Sequence, residues 1–384
     1  MNEGSYFPAH RQPRLPPHVG TVRLHLLDHS LATLESWFVE RGEPKFRARQ
    51  VRRWMLAGRA AGFADMTDLS KPLRAELAED WKVWTTRVAL HRRAADGTEK
   101  LLLELADGQR IECVLIREAR RRTICISTQV GCAMGCVFCA SGLDGVARNL
   151  TKGEIVEQML RSQQLLGDHE RLSHMVVMGM GEPLANLDNL LPALGEATHA
   201  DGLGISARRI TISTVGLPAA LRRLAEHGRQ YHLAVSLHAA DDGLRNRLVP
   251  VNRQIGIDGI LAAVDEFFQQ TGRRPTFEYV LIAGVNDHPS HANRLVERLA
   301  GRPAMLNVIP FNPVVGLPYR TPSLEATNRF LSILRHGGIN VQVRRRKGDA
   351  IDAACGQLRR GLKDTEITLK HDPSNHGRKA RSSW

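Results

Sequence analysis

From residue 123 onward, short β-branched segments alternate with helix-length amphipathic ones, and this rhythm constrains the fold more than any other feature. The strand candidates are TICIST (123–128), HMVVMG (174–179), RITIST (209–214), HLAVSL (232–237), TFEYVLI (276–282), MLNVIP (305–310) and INVQVR (339–344). Between them lie segments such as GEIVEQMLRSQQLLG, IDGILAAVDEFFQQTG and HANRLVERLAG, which read as helices. Parallel strands need a crossover between each pair, and a helix is the usual one. Repeated β-then-α units therefore predict an α/β fold with a parallel sheet, either open or wrapped as a full or partial barrel. In either form, chemistry gathers at the C-terminal ends of the strands.

Upstream the texture differs. SLATLESWFVERG, KFRARQVRRWMLAG and SKPLRAELAEDW carry helical periodicity, and Ser70 stands where it would cap the last of them. They predict a small basic helical unit over 21–82. Between 83 and 122, VWTTRVALHRR, EKLLLELA and QRIECVLIR are separated by Asp96-Gly97 and Asp107-Gly108, both hairpin turn signals, so a three-stranded meander is expected. Residues 1–20, rich in proline, read as a flexible arm; 363–384 read as a disordered basic tail. The main α/β body then covers 123–362.

The chain of 384 residues carries 53 Lys and Arg against 40 Asp and Glu, a net charge of +13. Such a balance rewards a polyanionic partner, nucleic acid first, because neutralised phosphates release counterions. Arginine-rich codon usage would give the same total, so charge alone names no function. No apolar run approaches the roughly 20 residues of a membrane helix, and the N-terminus has no apolar signal core. Six cysteines are too few for a disulfide scaffold in a chain this long, which points to a reducing, cytoplasmic compartment.

Three of those cysteines are concentrated. Cys132, Cys136 and Cys139 form C-x3-C-x2-C directly after the first strand of the α/β body. A structural zinc site is one reading, but closed zinc sites take four protein ligands and no second C-x-x-C pair is present. A 4Fe-4S cluster held by three thiolates is the other, and it leaves one iron open to bind and reduce a small molecule.

This loop, with Phe138 before its last cysteine, resembles the signature of the radical S-adenosylmethionine (SAM) superfamily. The resemblance implies a partial (β/α)6 barrel with the loop at its top. It also implies an open iron that chelates SAM, and an electron that cleaves SAM to a 5′-deoxyadenosyl radical. The surrounding blocks resemble the RlmN/Cfr type of RNA methyltransferase. They include KFRARQVRRWM, MTDLSKPLR, RRTICISTQVGCAMGCVFCASG, RNLTKGEI, VVMGMGEPLANLDN, RRITISTVG, LAVSLHAADDGLRNRLVPVNR, FEYVLIAGVND, NVIPFNPV and VRRRKGDAIDAACGQL, and run from Phe46 to Leu362.

The resemblance implies roles for particular residues. Cys355 would carry a methyl taken from one SAM, a second SAM would supply the radical, and Cys125 would release the product through a transient disulfide with Cys355. Glu112 would accept the displaced proton. Gly181, Glu182, Ser213, Ser236, Leu237, His238 and Asn312 match SAM-contact positions. For RNA, the candidates are the helix KFRARQVRR, the run 117–122, and Arg344, Arg345, Arg346 and Lys347. Phosphate-binding arginines just before the methyl-carrying loop would register the RNA over the site.

The implied reaction is methylation of adenosine C2 in the peptidyl-transferase region of 23S rRNA, and of the adenosine 3′ of the anticodon in tRNAs. Electrons would come from a flavodoxin or ferredoxin with its reductase, and the chain would act as a monomer. Alternatives are C8 methylation of the rRNA adenosine, rRNA-only specificity, or a non-catalytic iron–sulfur RNA-binding protein. SGLDGVARNL replaces the more polar post-cluster loop typical of the family, a departure that bears on substrate choice.

Overall fold

The computed structural model describes residues 23–344, 348 and 351–358. The arm at 1–20, the tail at 363–384, and Arg345, Arg346 and Lys347 lie outside the described residues. The chain opens with β1 (Leu24–His25), α1 (Leu31–Glu40), α2 (Phe46–Leu56), α3 (Lys71–Asp80) and β2 (Trp81–Lys82). Ser30 and Ser70 each cap a helix, accepting from the backbone N–H three residues on. Then come β3 (Arg87–Arg93), β4 (Glu99–Glu104), β5 (Arg110–Glu118), β6 (Arg121–Cys125), and a small hairpin of β7 (Gln129–Gly131) and β8 (Val146–Asn149). The remainder is α4 (Lys152–Gln164), β9 (His174–Val177), α5 (Leu187–Thr198), β10 (Ile210–Thr214), α6 (Pro218–Glu226), β11 (His232–Ser236) and α7 (Asp242–Leu248). It closes with α8 (Ile257–Thr271), β12 (Thr276–Leu281), α9 (Pro289–Leu299), β13 (Met305–Pro310), α10 (Leu324–His336) and β14 (Val341–Val343).

One sheet of ten strands organises these parts, in the order β14-β13-β12-β11-β10-β9-β6-β5-β4-β3. β6 and β9 to β14 are parallel neighbours throughout, with helices as crossovers. β14 and β6 are not paired with each other, so the parallel part is a partial barrel. The meander is no separate layer. Its last strand, β5, pairs antiparallel with β6 and extends the barrel sheet outward. Both meander turns put glycine at positive φ, +82° at Gly97 and +79° at Gly108, with Asp96 and Asp107 accepting from the backbone two residues on.

The strand expected over 123–128 ends at Cys125. Beyond it, the Ser127 N–H donates to the Gln158 side chain of α4 at 2.8 Å, which draws the chain out of the strand and toward the barrel top. The segment expected over 339–344 likewise shortens to Val341–Val343. The helical unit shares a continuous apolar core with the barrel, from Leu26 to Leu358. A buried polar cluster joins them as well: Glu157 of α4 accepts from the backbone N–H and hydroxyl groups of Thr85 and Thr86 and meets His25 Nε2 at 2.9 Å. Among the described residues no helix is long and apolar enough to cross a membrane.

Candidate active site

The loop between β7 and β8 brings the three clustered cysteines to the top of the barrel. Backbone bonds from Cys132 to Gly145, Val137 to Leu248 and Cys139 to Cys136 fix its path. All three thiols line a cavity of about 920 Å³, together with Glu182, Ser213, Ser236, His238, Asn312 and Cys355. Burial pushes the Cys132 thiol up to about 12 and raises Cys136 and Cys139 too; repulsion from neighbouring cysteines raises Cys132 and Cys136 further. Three thiolates can share such a site only with a multivalent cationic centre. The donor set fits a 4Fe-4S cluster with one iron left for an exchangeable ligand. No group of three His, Cys, Asp or Glu side chains converges as on a single metal ion among the described residues.

Four strand ends supply polar groups to the same cavity. Gly181 has φ +102°, and a Cβ there would stand 2.6 Å from Gln129 Cβ, so close packing on β7 requires glycine. Gln129 Oε1 in turn accepts from the Glu182 N–H at 2.8 Å, and Asn149 holds the amide from its other end. The Glu182 carboxylate is buried, accepts from Leu184 N–H at 3.0 Å and Val215 N–H at 2.9 Å, and retains further acceptor capacity toward the cavity. Burial pushes its carboxyl up, against the pull of those bonds.

His238 has φ +60°, unusual for a residue with a side chain, and its ring meets Phe138 edge-on at 4.8 Å. Its Nδ1 accepts from the Val280 N–H at 3.1 Å, which assigns the proton to Nε2 as a donor. Burial, aided by the Arg245 charge, drives its pKa down to about 3, so the ring is neutral. Leu237 differs from its neighbours: its side chain is buried in the core and does not line the cavity. Asn312 donates from Nδ2 to the Cys355 carbonyl at 3.0 Å, while its Oδ1 is buried without a partner. A buried acceptor left open inside a cavity fits a ligand-binding role.

Cys355 stands where two cavities meet. The second, of about 1430 Å³, shares Met178, Ile309, Asn312, Arg344 and Cys355 with the first and is also lined by Cys125. It lies between β6 and β14, the two ends of the parallel run, which are not paired with each other. Burial pushes the Cys125 thiol up to about 12; Cys355 adds to the rise and the Arg344 charge opposes it. The loop carrying Cys355 is stitched on several sides. Ala140 N–H donates to the Gly356 carbonyl at 2.8 Å, Ser141 Oγ to Leu358 at 2.7 Å, and Gln357 Nε2 to Pro313 at 2.9 Å. Glu112 is buried on β5 and pairs with Lys100 at 2.9 Å. It shares the face of β5 that carries Val114 and Ile116 into the second cavity, but does not line either cavity itself.

The basic runs proposed for RNA take a different place. Arg344 does not present a surface charge: it lines both cavities, and its Nη1 donates to Met178 Sδ at 3.6 Å. Its inward direction follows from its place just after β14, where the pleat points it into the barrel. Arg117 and Arg122 bind Glu170, with Arg117 also on Glu99, and Arg52 of α2 binds Glu196. Those arginines join structural elements to one another.

Two site residues escaped the sequence reading. Arg245 is fully buried and donates to the carbonyls of Val215, Ser236 and Leu237 and to Asn252 Oδ1, so it ties the ends of β10 and β11 together. No periodicity marks it, since one arginine of the two in DDGLRNRL looks solvated. Glu278 lines the cavity, accepts from Asn307 at 2.8 Å, and is raised by burial. It was detectable in principle, because a carboxylate in an otherwise apolar parallel strand must find a buried partner.

Three half-buried thiols above a partial barrel, facing an open set of donors and acceptors, define a radical SAM enzyme. Comparison with known proteins agrees. Residues 126–295 match the radical SAM superfamily, and residues 24–83 match the ribosomal RNA large subunit methyltransferase N-terminal domain. A probable dual-specificity RNA methyltransferase RlmN of Rhodopirellula baltica is 59% identical over 91% of this chain and 94% of its own. The corresponding protein of Bacillus licheniformis is 44% identical over 88% and 94%. The crystal structure of a radical SAM methyltransferase from Sphaerobacter thermophilus superposes with a TM-score of 0.86 at 43% identity, covering 88% of this chain and all of that one. The chain belongs to the RlmN family of radical SAM RNA methyltransferases.

Proposed function

We propose that this enzyme methylates C2 of an adenosine in the peptidyl-transferase region of 23S rRNA and of the adenosine 3′ of the anticodon in tRNAs. The names of its relatives support dual specificity. Adenine C2 lies between two ring nitrogens and is too electron-poor to attack a sulfonium methyl, so a carbon radical must add to it. When bound, the cluster supplies an electron, one SAM a methyl, and a second SAM the hydrogen-abstracting radical. Cys132, Cys136 and Cys139 would hold the cluster.

Around them, Glu182 accepts from the SAM ammonium group. His238 Nε2 donates, and Asn312 Oδ1 and the hydroxyls of Ser213 and Ser236 complete the pocket. Gly181 lets the chain turn there, and Leu237 supports the strand end from the core. Cys355 carries the methyl on sulfur and, after loss of a hydrogen, bonds to the adenine through the resulting methylene. Glu112 takes the C2 proton, and Cys125 displaces the product by bonding to the Cys355 sulfur, so that the sulfur–methylene bond breaks and the released carbon takes up a proton to become the methyl. The target base must be flipped out of its stack to reach this depth. Arg345, Arg346 and Lys347 are retained as phosphate contacts. The enzyme works as a cytoplasmic monomer fed by flavodoxin or ferredoxin.

The observation that carries this reading is the place of Cys355 at the junction of two cavities, one with the cluster thiols and one with Cys125. Anaerobic reconstitution with SAM followed by intact mass spectrometry tests it: a methyl on Cys355 is expected, and its absence overturns the mechanism. Nucleoside analysis of rRNA and tRNA from a deletion strain should then show loss of 2-methyladenosine from both. Loss of an 8-methyl product instead would reassign the position.

A further inference from the structure

The proton acceptor and the methyl carrier come from opposite ends of the chain, and one side chain connects them. Lys100 of β4 is buried, and its ammonium meets Glu112 Oε1 at 2.9 Å and donates to the Asp352 carbonyl at 3.0 Å, three residues before Cys355. Asp352 has φ +52°, so the loop turns sharply where the lysine holds it. Lys100 does not act alone. Asp96 accepts from the Gly348 N–H at 3.0 Å, and Gly348 packs so closely on Thr98 that a Cβ would stand 2.9 Å from Thr98 Cγ2. Asp96 closes the hairpin and Thr98 and Lys100 follow it at alternate positions, so one face of a single hairpin grips the carrier loop.

We propose that Lys100 is a positioning residue that acts through Glu112, holding that carboxylate ionised and in register with the loop that carries Cys355. The inference rests on the proposed function above. A buried carboxylate keeps its charge more readily beside a cation, and once protonated it can accept no further proton. When the thiomethylene radical has added to the adenine, the C2–H bond breaks and its proton goes to Glu112. The bond's electron pair restores the aromatic ring, and the odd electron would leave to the iron–sulfur centre that Cys132, Cys136 and Cys139 would hold. Methylation of Cys355, the earlier half-reaction, needs no base at Glu112. Loss of Lys100 therefore has a distinct signature: Cys355 is methylated, RNA becomes attached, and the adduct is not released.

Lys100→Met, Lys100→Arg and Glu112→Gln, alone and with Lys100→Met combined with Glu112→Gln, are compared by three readouts on reconstituted full-length protein. These are intact mass for Cys355 methylation, denaturing gels for covalent RNA adduct, and release of methylated RNA. Lys100→Met should keep Cys355 methylation, accumulate adduct, and slow release by about 10²-fold, the usual size of a general-base contribution. Lys100→Arg should recover most of that loss, and Lys100→Met should add nothing to Glu112→Gln, since residues acting as a unit are not additive. The inference is overturned if Lys100→Met turns over normally, loses Cys355 methylation without adduct, or multiplies the loss of Glu112→Gln. Should Lys100→Met fail to fold, Lys100→Arg decides: unreleased adduct or lost methylation there, where the charge is kept, overturns it. A Glu112→Gln protein that forms no adduct and turns over normally would instead sink the acceptor role beneath it.

Discussion

Two buried polar clusters in this molecule look alike in composition and differ in closure. Under the helical unit, each Glu157 oxygen accepts from both a backbone N–H and a hydroxyl, and His25 adds a charge. Its neighbour Asp28 is held by the Gly153 N–H at 2.7 Å. At the barrel top, Glu182 has one backbone donor on each oxygen and a single hydroxyl, that of Thr214, for the pair, His238 is bonded through one nitrogen, and Asn312 Oδ1 has no partner. Both clusters carry the desolvation cost of burial, but only the first spends its hydrogen-bonding capacity internally. A closed network holds elements together. An open one, kept rigid by Gln129 and Arg245, is complementary to something not yet there.

Mutation should separate the two. Cys355→Ala is expected to abolish RNA methylation, by about 10⁴-fold or more, because no other group can carry the methyl. Its unfolding midpoint in urea should stay near that of the parent, and a marked fall would mean the loop is architectural. Glu157→Ala should do the reverse. Removing one partner of a buried, multiply bonded ion pair costs about 3–5 kcal/mol, read by urea unfolding. Its effect on SAM affinity should be small once the protein is folded; a large one would break the division between the clusters.

The same division explains what could be read in the sequence. The α/β rhythm was legible because strand and helix periods differ, and the barrel strands appeared within a few residues of where alternation put them. The cysteine loop was legible because three rare residues at short spacing are conspicuous. The direction of Arg344 was not legible, because a run of basic residues looks uniform in sequence, whereas the pleat of a short last strand turns its first member toward the two cavities. Lys100 and Arg245 carried no signal at all. Each is a long cation whose partners, Glu112 with Asp352 and three strand-end carbonyls, become neighbours only when the sheet closes around them.

Within the open cluster, Glu182→Gln should weaken SAM binding about 10- to 100-fold, the range for a lost charge-assisted hydrogen bond. Stability should hold or rise, since burial already disfavours the charged carboxylate. Equilibrium dialysis against reconstituted protein reads the first, and urea unfolding the second. Unchanged affinity would return Glu182 to a purely turn-forming role.

The closed cluster should betray itself by pH. Burial opposes protonation of His25, but the hydrogen bonds it donates to Asp28 and Glu157 outweigh it and raise the pKa from 6.5 to about 9. The folded state then holds a proton that the unfolded state releases above pH 6.5. Stability from this group is complete below pH 6.5 and declines until about pH 9. Buried histidines with lowered pKa values, such as His238, act only below 6.5. Lys152, lowered to about 8 by burial, acts in the opposite sense above that value, and the cysteines raised to about 12 act only above 9. In the interval from 6.5 to 8 His25 leads, and the buried carboxyls of Glu182 and Glu278, also raised, can only add in the same sense. Across it unfolding free energy should fall by about 2 kcal/mol at 1.36 kcal/mol per unit. In His25→Asn that slope should disappear. A slope that survives the substitution would show that the proton is held elsewhere, and that the latch between the helical unit and the barrel is not ionic.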